Sequence, residues 1–291
     1  MTSRTATLIG LTAILMWSLL SVMTVASGRM PPFQLTAVTF AIGALAAALS
    51  WIRRPDAIRA LRQPPLIWAI GVGGLFGYHA LYFVGLRFAP PAEAGLLNYL
   101  WPLLIVLFSS LLPGERLYPR HIVGALLGLV GTVLLLWGNG SAGFEAAHAG
   151  GLFAAFCAAF VWAAYSVMSR RLKAVPTDAV AGFCLATAVL AAVVHLAVET
   201  TIWPETALQW LAVIGLGVGP VGAAFYTWDI GMKRGDIRVL GAASYATPLL
   251  STGLLILAGF AQASANIALA AALIAGGGLI AAKDMLRKRG A

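Results

Sequence analysis

Residues 77–104 read GYHALYFVGLRFAPPAEAGLLNYLWPLL. Two apolar runs meet at Pro90-Pro91, and each carries polar aromatic or amide groups well inside it. Tyr78, His79 and Tyr82 lie in the first run; Asn98, Tyr99 and Trp101 lie in the second, followed by Pro102. Mainly apolar runs of about 20 residues are the material of membrane helices. Hydrocarbon supplies neither water nor hydrogen-bond partners, so polar groups at that depth need a cavity or a partner inside the protein. The stretch therefore calls for a helical membrane bundle with a polar-aromatic interior.

Composition agrees along the whole chain. Of 291 residues, 60% are hydrophobic and only 10% charged, with a mean hydropathy of +0.90. Soluble domains carry about 25% charged residues, which leaves little chain here for one. The net charge of +9 reads as loop arginines that set topology, not as a nucleic-acid surface. Cys157 and Cys184 both fall inside apolar runs and read as small hydrophobes, not a disulfide. No phosphate-binding Gly-x-x-x-x-Gly-Lys motif is present, and none of Lys173, Lys233, Lys283 and Lys288 follows a glycine, so direct ATP drive is not expected.

A window of about 20 residues places ten spans at about 5–27, 33–52, 66–87, 90–112, 120–138, 150–170, 178–199, 207–231, 238–259 and 266–283. Turn chemistry or charge separates them, as at Arg53-Arg54-Pro55-Asp56, Gln63-Pro64-Pro65, Pro113-Gly114-Glu115 and Gly138-Asn139-Gly140. With ten spans, all 19 Lys and Arg residues except Arg29 and Arg87 fall on one side. The positive-inside rule makes that side, which holds both termini, the cytoplasm.

The chain also repeats. A shift of 145 residues aligns Trp17, Ser21, Val22 and Met23 with Trp162, Ser166, Val167 and Met168. A shift of 146 aligns Gly85, Gly95, Tyr99, Pro102-Leu103-Leu104 and Gly131 with Gly231, Gly241, Tyr245, Pro248-Leu249-Leu250 and Gly277. The spacing predicts two five-helix halves, about 1–140 and 150–285, followed by a basic cytoplasmic tail at 286–291. Five is odd, so the second half enters from the opposite face. Such inverted repeats build secondary transporters, with the substrate at the midplane between them. The match of helix 1 to helix 6 marks the first segment as a retained helix and not a signal peptide.

Helical spacing puts Tyr78, His79 and Tyr82 on one face at mid-span, where they are expected to line a central cavity. The plainer alternative is an interfacial aromatic belt. His79 could carry protons or serve as a neutral hydrogen-bonding group. Asn98, Trp101 and Pro102 share a face of helix 4, with Tyr99 on its flank; Ser244 and Tyr245 precede Pro248 as Asn98 and Tyr99 precede Pro102. Pro102 and Pro248 are candidate hinges, because proline removes a backbone donor, although either could merely bend packing. Trp17 and Trp162 are expected at the cavity wall, with core filling as the alternative. Tyr165, Tyr226 and Trp228 are weaker candidates. The pairs Gly73/Gly77, Gly124/Gly128 and Gly215/Gly219 are expected to let helices approach closely. Glu93 and Glu199 fall toward the outer face and Asp229 toward the cytoplasmic end, so no fixed charge is expected at mid-depth. Rings without charge suit a zwitterion or an aromatic compound, through stacking and cation–π contact. No metal cluster or nucleophile–base pair is visible, so neither catalysis nor a metal or other cofactor is expected.

Ten helices with both ends inside, an inverted five-plus-five repeat and a fourth helix ending in Leu112-Pro113-Gly114-Glu115 resemble the EamA-type members of the drug/metabolite transporter superfamily. Within it, Trp17-Ser18, Tyr82-x-x-Gly85-Leu86 and Asn98-Tyr99-Leu100-Trp101-Pro102 are most similar to the YddG-type aromatic amino-acid exporters. The resemblance implies a multi-pass bacterial inner-membrane protein that exports phenylalanine, tyrosine, tryptophan and related metabolites by alternating access. Export of aromatic cations or other metabolites is the rival within transport, and an intramembrane enzyme is the remote one. The implied partners are a small-molecule substrate and the bilayer, with the chain acting as a monomer. Glu115 has no counterpart in the second half, where Ala261 stands, and is read as structural.

Overall fold

The computed structural model describes residues 1–114, 116–137, 146–257, 264–281 and 283. Glu115, the Gly138-Asn139-Gly140 break, Ala261 and the 286–291 tail lie outside them. Every regular element among the described residues is helical. We label α1 Ser3–Ala26, α2 Pro32–Ser50, α3 Pro65–Phe88 and α4 Pro91–Asn98 with Trp101–Ser109. Then come α5 Pro119–Trp137, α6 Ala149–Arg171, α7 Ala179–Val198 and α8 Ala207–Arg234. The last are α9 Ile237–Ala243 with Ala246–Leu257, and α10 Ala265–Ala281. Six of these, α1, α2, α3, α6, α7 and α8, are long and apolar enough to cross a membrane.

Several prolines stand at helix starts. Pro32, Pro65 and Pro91 open α2, α3 and α4, where the missing N–H costs nothing and φ is already helical. The same rule divides α4. Its helix stops at Asn98 and resumes at Trp101, which places Pro102 in a first turn instead of a helix interior. α9 stops at Ala243 and resumes at Ala246, with Pro248 in its first turn. Each was expected as one continuous span; each is two pieces. The resumed α4 leaves a first-turn amide unpaired within its helix, and the Leu103 N–H donates to the Tyr245 hydroxyl at 3.2 Å.

α3 and α8 each contain one turn of π-helix, at Gly73–Gly77 and Gly219–Ala223. These two turns are 146 residues apart, the offset of the sequence repeat. Gly73 and Gly219 have no neighbour where a side chain would stand, so they mark the π-turns and not close helix contacts. Close approach is found at the expected Gly124 and also at Gly10. Gly124 of α5 packs on the Gly277 carbonyl of α10, and Gly10 of α1 on the backbone of Gly231 in α8. A Cβ at any of these would collide with backbone.

The packing pairs are α1 with α8, α3 with α6, α2 with α7, α4 with α9 and α5 with α10; α1 also meets α9, and α6 meets α4. Polar ties sit at the helix ends. The Glu199 carboxylate accepts from the Phe33 and Gln34 amides, both at 3.0 Å, so the end of α7 caps the start of α2. His195 Nδ1 lies 2.9 Å from the same carboxylate. At the other end of this pair, Arg54 bonds Asp178 at 3.1 Å.

Candidate functional site

Four tryptophans meet at the centre, one each from α1, α4, α6 and α8. The ring centroids of Trp17, Trp101, Trp162 and Trp228 all lie 5.0–6.3 Å from one another. All four are buried. Most pairs are edge-to-face, the geometry in which the positive rim of one ring meets the negative face of the next; such a contact adds about 0.5–1.5 kcal/mol beyond burial. Phe225 extends the group, 5.8 Å from Trp162 and stacked 5.5 Å from Phe40.

Two indole donors are satisfied across the bundle. Trp17 Nε1 donates to the Pro220 carbonyl inside the α8 π-turn at 3.0 Å, and Trp228 Nε1 donates to Ser166 Oγ at 3.1 Å. These bonds fix the ring orientations, because an unmade buried bond costs more than a made one returns.

α3 supplies the polar flank. The Tyr78 ring lies 5.3 Å from Trp162 and stacks 6.0 Å from Tyr82, while Asn98 Nδ2 donates to the Tyr78 hydroxyl at 3.2 Å. Asn98 Oδ1 is buried and has no hydrogen-bond partner among the described residues. The His79 ring sits 5.1 Å from Phe40 and 5.0 Å from Tyr78. Its Nδ1 donates to the Leu75 carbonyl at 2.7 Å. A carbonyl can only accept, so the proton belongs to Nδ1 and Nε2 is the free position. No charged side chain takes part in this network among the described residues. Its faces can stack an aromatic ring and hold an ammonium over a π-cloud.

The structure thus brings together Trp17, Tyr78, His79, Tyr82, Asn98, Trp101 and Trp162. At the centre the four indoles bury one another's faces, while Tyr78, His79, Tyr82 and Tyr99 on the α3 and α4 side are half-buried. Tyr99 lies at the α4 break. Ser244 and Tyr245 stand apart from the ring group. Ser244 Oγ donates to its own helix at Leu240, and Tyr245 is fully buried against α4, α5 and α10.

Trp228, a weaker candidate from the sequence, joins that group, and Phe225 and Phe40 are additions to it. Trp228 and Phe225 occupy the positions that match Tyr82 and His79 at a shift of 146, so the repeat points to both. Phe40, an apolar residue in an apolar helix, carries no such signal. Burial of Asp229 and Lys233 was also not expected. They form an ion pair at 2.8 Å with both side chains nearly inaccessible, and only their i,i+4 spacing hints at it. Glu93, in the first turn of α4, is likewise fully buried, with neither carboxylate oxygen bonded among the described residues.

Helices of membrane-crossing length surround this buried knot of rings, the make-up of a polytopic membrane protein. The chain belongs to the EamA-like transporter family, whose model matches residues 4–137 and again 149–282. It is 56% identical over 282 residues to the aromatic amino acid exporter YddG of Ancylobacter novellus, covering 97% of this chain and 98% of that one. It is 28% identical to the Escherichia coli aromatic amino acid exporter YddG, over 96% of this chain and 97% of that protein. A solved crystal structure superposes with a TM-score of 0.94 at 55% identity, covering 99% of this chain and 100% of its own.

Proposed function

We propose that this chain exports aromatic amino acids across the bacterial inner membrane by alternating access. The tetrad of Trp17, Trp101, Trp162 and Trp228 carries the reading, since four indoles from four helices offer faces to an aromatic side chain. Tyr78, His79, Tyr82 and Asn98 supply the polar side of the same site, where Asn98 Oδ1 is a buried acceptor without a partner among the described residues. The names of the two relatives above point the same way.

The transport frame in this reading is ten spans in two inverted five-helix halves, 1–140 and 150–285, with both termini cytoplasmic. Several observations support it: the paired π-turns, the matched breaks in α4 and α9, and the double family match. Packing also pairs α1 with α8 where α3 pairs with α6, and α1 with α9 where α6 pairs with α4. Pro102 and Pro248 sit at the two breaks, where the pieces of α4 and α9 pivot as the halves rock.

The test is tryptophan and phenylalanine flux in reconstituted vesicles. Saturable flux in the wild type, lost in Trp101→Ala and Tyr82→Ala while both remain monodisperse in detergent, is the expected result. No saturable flux of either amino acid, with an aromatic cation carried instead, would replace this reading. Unchanged flux in both variants would reduce the rings to packing.

A further inference from the structure

The ring knot recognises a side chain, yet an amino acid also carries an ammonium and a carboxylate. We infer that the buried Asp229–Lys233 pair is a docking site for that zwitterionic head on the cytoplasmic side of the knot, an inference that rests on the function proposed above. Lys233 Nζ lies 2.8 Å from Asp229 Oδ2, and the two side chains are 6% and 5% exposed. Thr177 Oγ1 donates to Asp229 Oδ2 at 2.7 Å, and Lys233 Nζ donates to the Val175 carbonyl at 2.8 Å. Both partners belong to the α6–α7 connection, so the pair holds the end of α8 against it. Arg170 adds to the hold, donating to the Lys233 and Gly235 carbonyls at 3.0 and 2.9 Å.

Burying two charges costs several kcal/mol per ion before their attraction is counted, and an apolar replacement of similar volume often serves stability as well. Ionisable groups in membrane helices mark substrate paths by default. The surroundings fit that role. A cavity of about 10 Å³, room for about one water, lies between the pair, Ile70 and Gly71 of α3, Tyr165 of α6 and Phe183 of α7. Tyr165 is one helical turn from Trp162, with ring centroids 5.5 Å apart, so the site adjoins the knot directly. Gly71 and Gly74 of α3 pack flush on the Phe183 and Tyr165 rings, and the π-turn begins between them. Parting α3 from these rings widens the cavity toward the pair. The substrate ammonium then replaces Lys233 at Asp229, its carboxylate replaces Asp229 at Lys233, and its ring runs past Tyr165 toward Trp162 of the knot. The exchange conserves charge, so the head enters without leaving an unpaired ion. The equivalent outer positions at a shift of 146 are Phe83 and Arg87, which cannot form such a pair. Zwitterion recognition is therefore one-sided, facing the compartment from which an exporter loads.

The experiment uses full-length protein in proteoliposomes loaded with labelled tryptophan. Competitors are tryptamine, which lacks the carboxylate, and indole-3-propionate, which lacks the ammonium. They are added on the cytoplasmic side, with tryptophan itself as the reference competitor. Wild type is expected to be inhibited at least about tenfold less well by either analogue than by tryptophan, since a site with buried polar groups rejects a ligand that leaves them unpaired. Asp229→Asn is expected to lose the discrimination against indole-3-propionate and keep that against tryptamine; Lys233→Gln is expected to do the reverse. A merely structural pair cannot produce that crossed pattern. Equal changes toward both analogues, or none, in folded variants would overturn the inference, as would a wild type inhibited equally by all three compounds. The wild-type comparison stands even if neither variant folds. Absence of tryptophan flux in the wild type would instead sink the export reading itself.

Discussion

At the residue scale, the tryptophan knot depends on hydrogen bonds as much as on ring faces. Trp17→Phe keeps a ring in place but leaves the buried Pro220 carbonyl without its indole donor. The expected cost is about 1–3 kcal/mol, read as a lower melting temperature in detergent against wild type. His79 is pinned by the Leu75 carbonyl and enclosed by Phe40, Tyr78 and Phe83, an arrangement suited to a neutral imidazole. Tryptophan flux is accordingly expected not to follow an imposed pH gradient. A flux that follows the gradient in wild type and ceases to do so in His79→Gln would make this histidine the proton carrier. Much of the candidate site was legible here: the polar and aromatic groups at mid-span, Tyr78, His79, Tyr82, Asn98 and Trp101, do come together. Phe40 was not, because an apolar ring in an apolar helix looks the same whether it faces lipid or a site.

At the scale of elements, the caps and close contacts decide how helices end and meet. Asp236 opens α9, accepting from the Arg238 and Val239 amides and from the Arg238 guanidinium. Burial pushes its carboxyl up, but the Arg238 bond and charge, with the two amides, outweigh that and hold it below the ordinary carboxylate range. A depressed folded value means the stabilisation is full above the unfolded carboxylate value and is lost as pH falls through the folded one. Asp236→Asn keeps a capping oxygen but loses the ion pair with Arg238; it is expected to cost about 0.2–1 kcal/mol at neutral pH, and its deficit against wild type should narrow below about pH 4. Thermal unfolding across pH 3–7 in detergent reads both. In α10, Gly277→Val forces a branched side chain onto the Gly124 carbonyl. Overpacking of this kind costs about 1–3 kcal/mol, and the melting temperature should fall while Gly276→Ala, at a position with open space, changes little.

At the scale of the molecule, the proposed ten-span topology has a direct test. Arg29 and Lys173 are both exposed and lie at opposite ends of the bundle in that reading. A single cysteine placed at Arg29 is expected to react with an impermeant maleimide in intact cells, and one at Lys173 only after the membrane is opened. The opposite labelling would invert the topology and the direction assigned to the Asp229–Lys233 site.

Hydropathy, the 146-residue offset and the loop arginines are contained in the sequence by itself, because each is a one-dimensional pattern that the bilayer reads residue by residue. They determine a helical membrane chain with an internal repeat and place polar aromatics near its middle. Only the tertiary structure decides which rings share the centre. Trp228, Phe225 and Phe40 join through helix crossings, while Ser244 and Tyr245 are turned away, since α9 resumes after its break with Tyr245 capping α4. Burial of the Asp229–Lys233 pair is likewise a tertiary outcome. Four residues of spacing allow the two to meet, but the α6–α7 connection removes them from water.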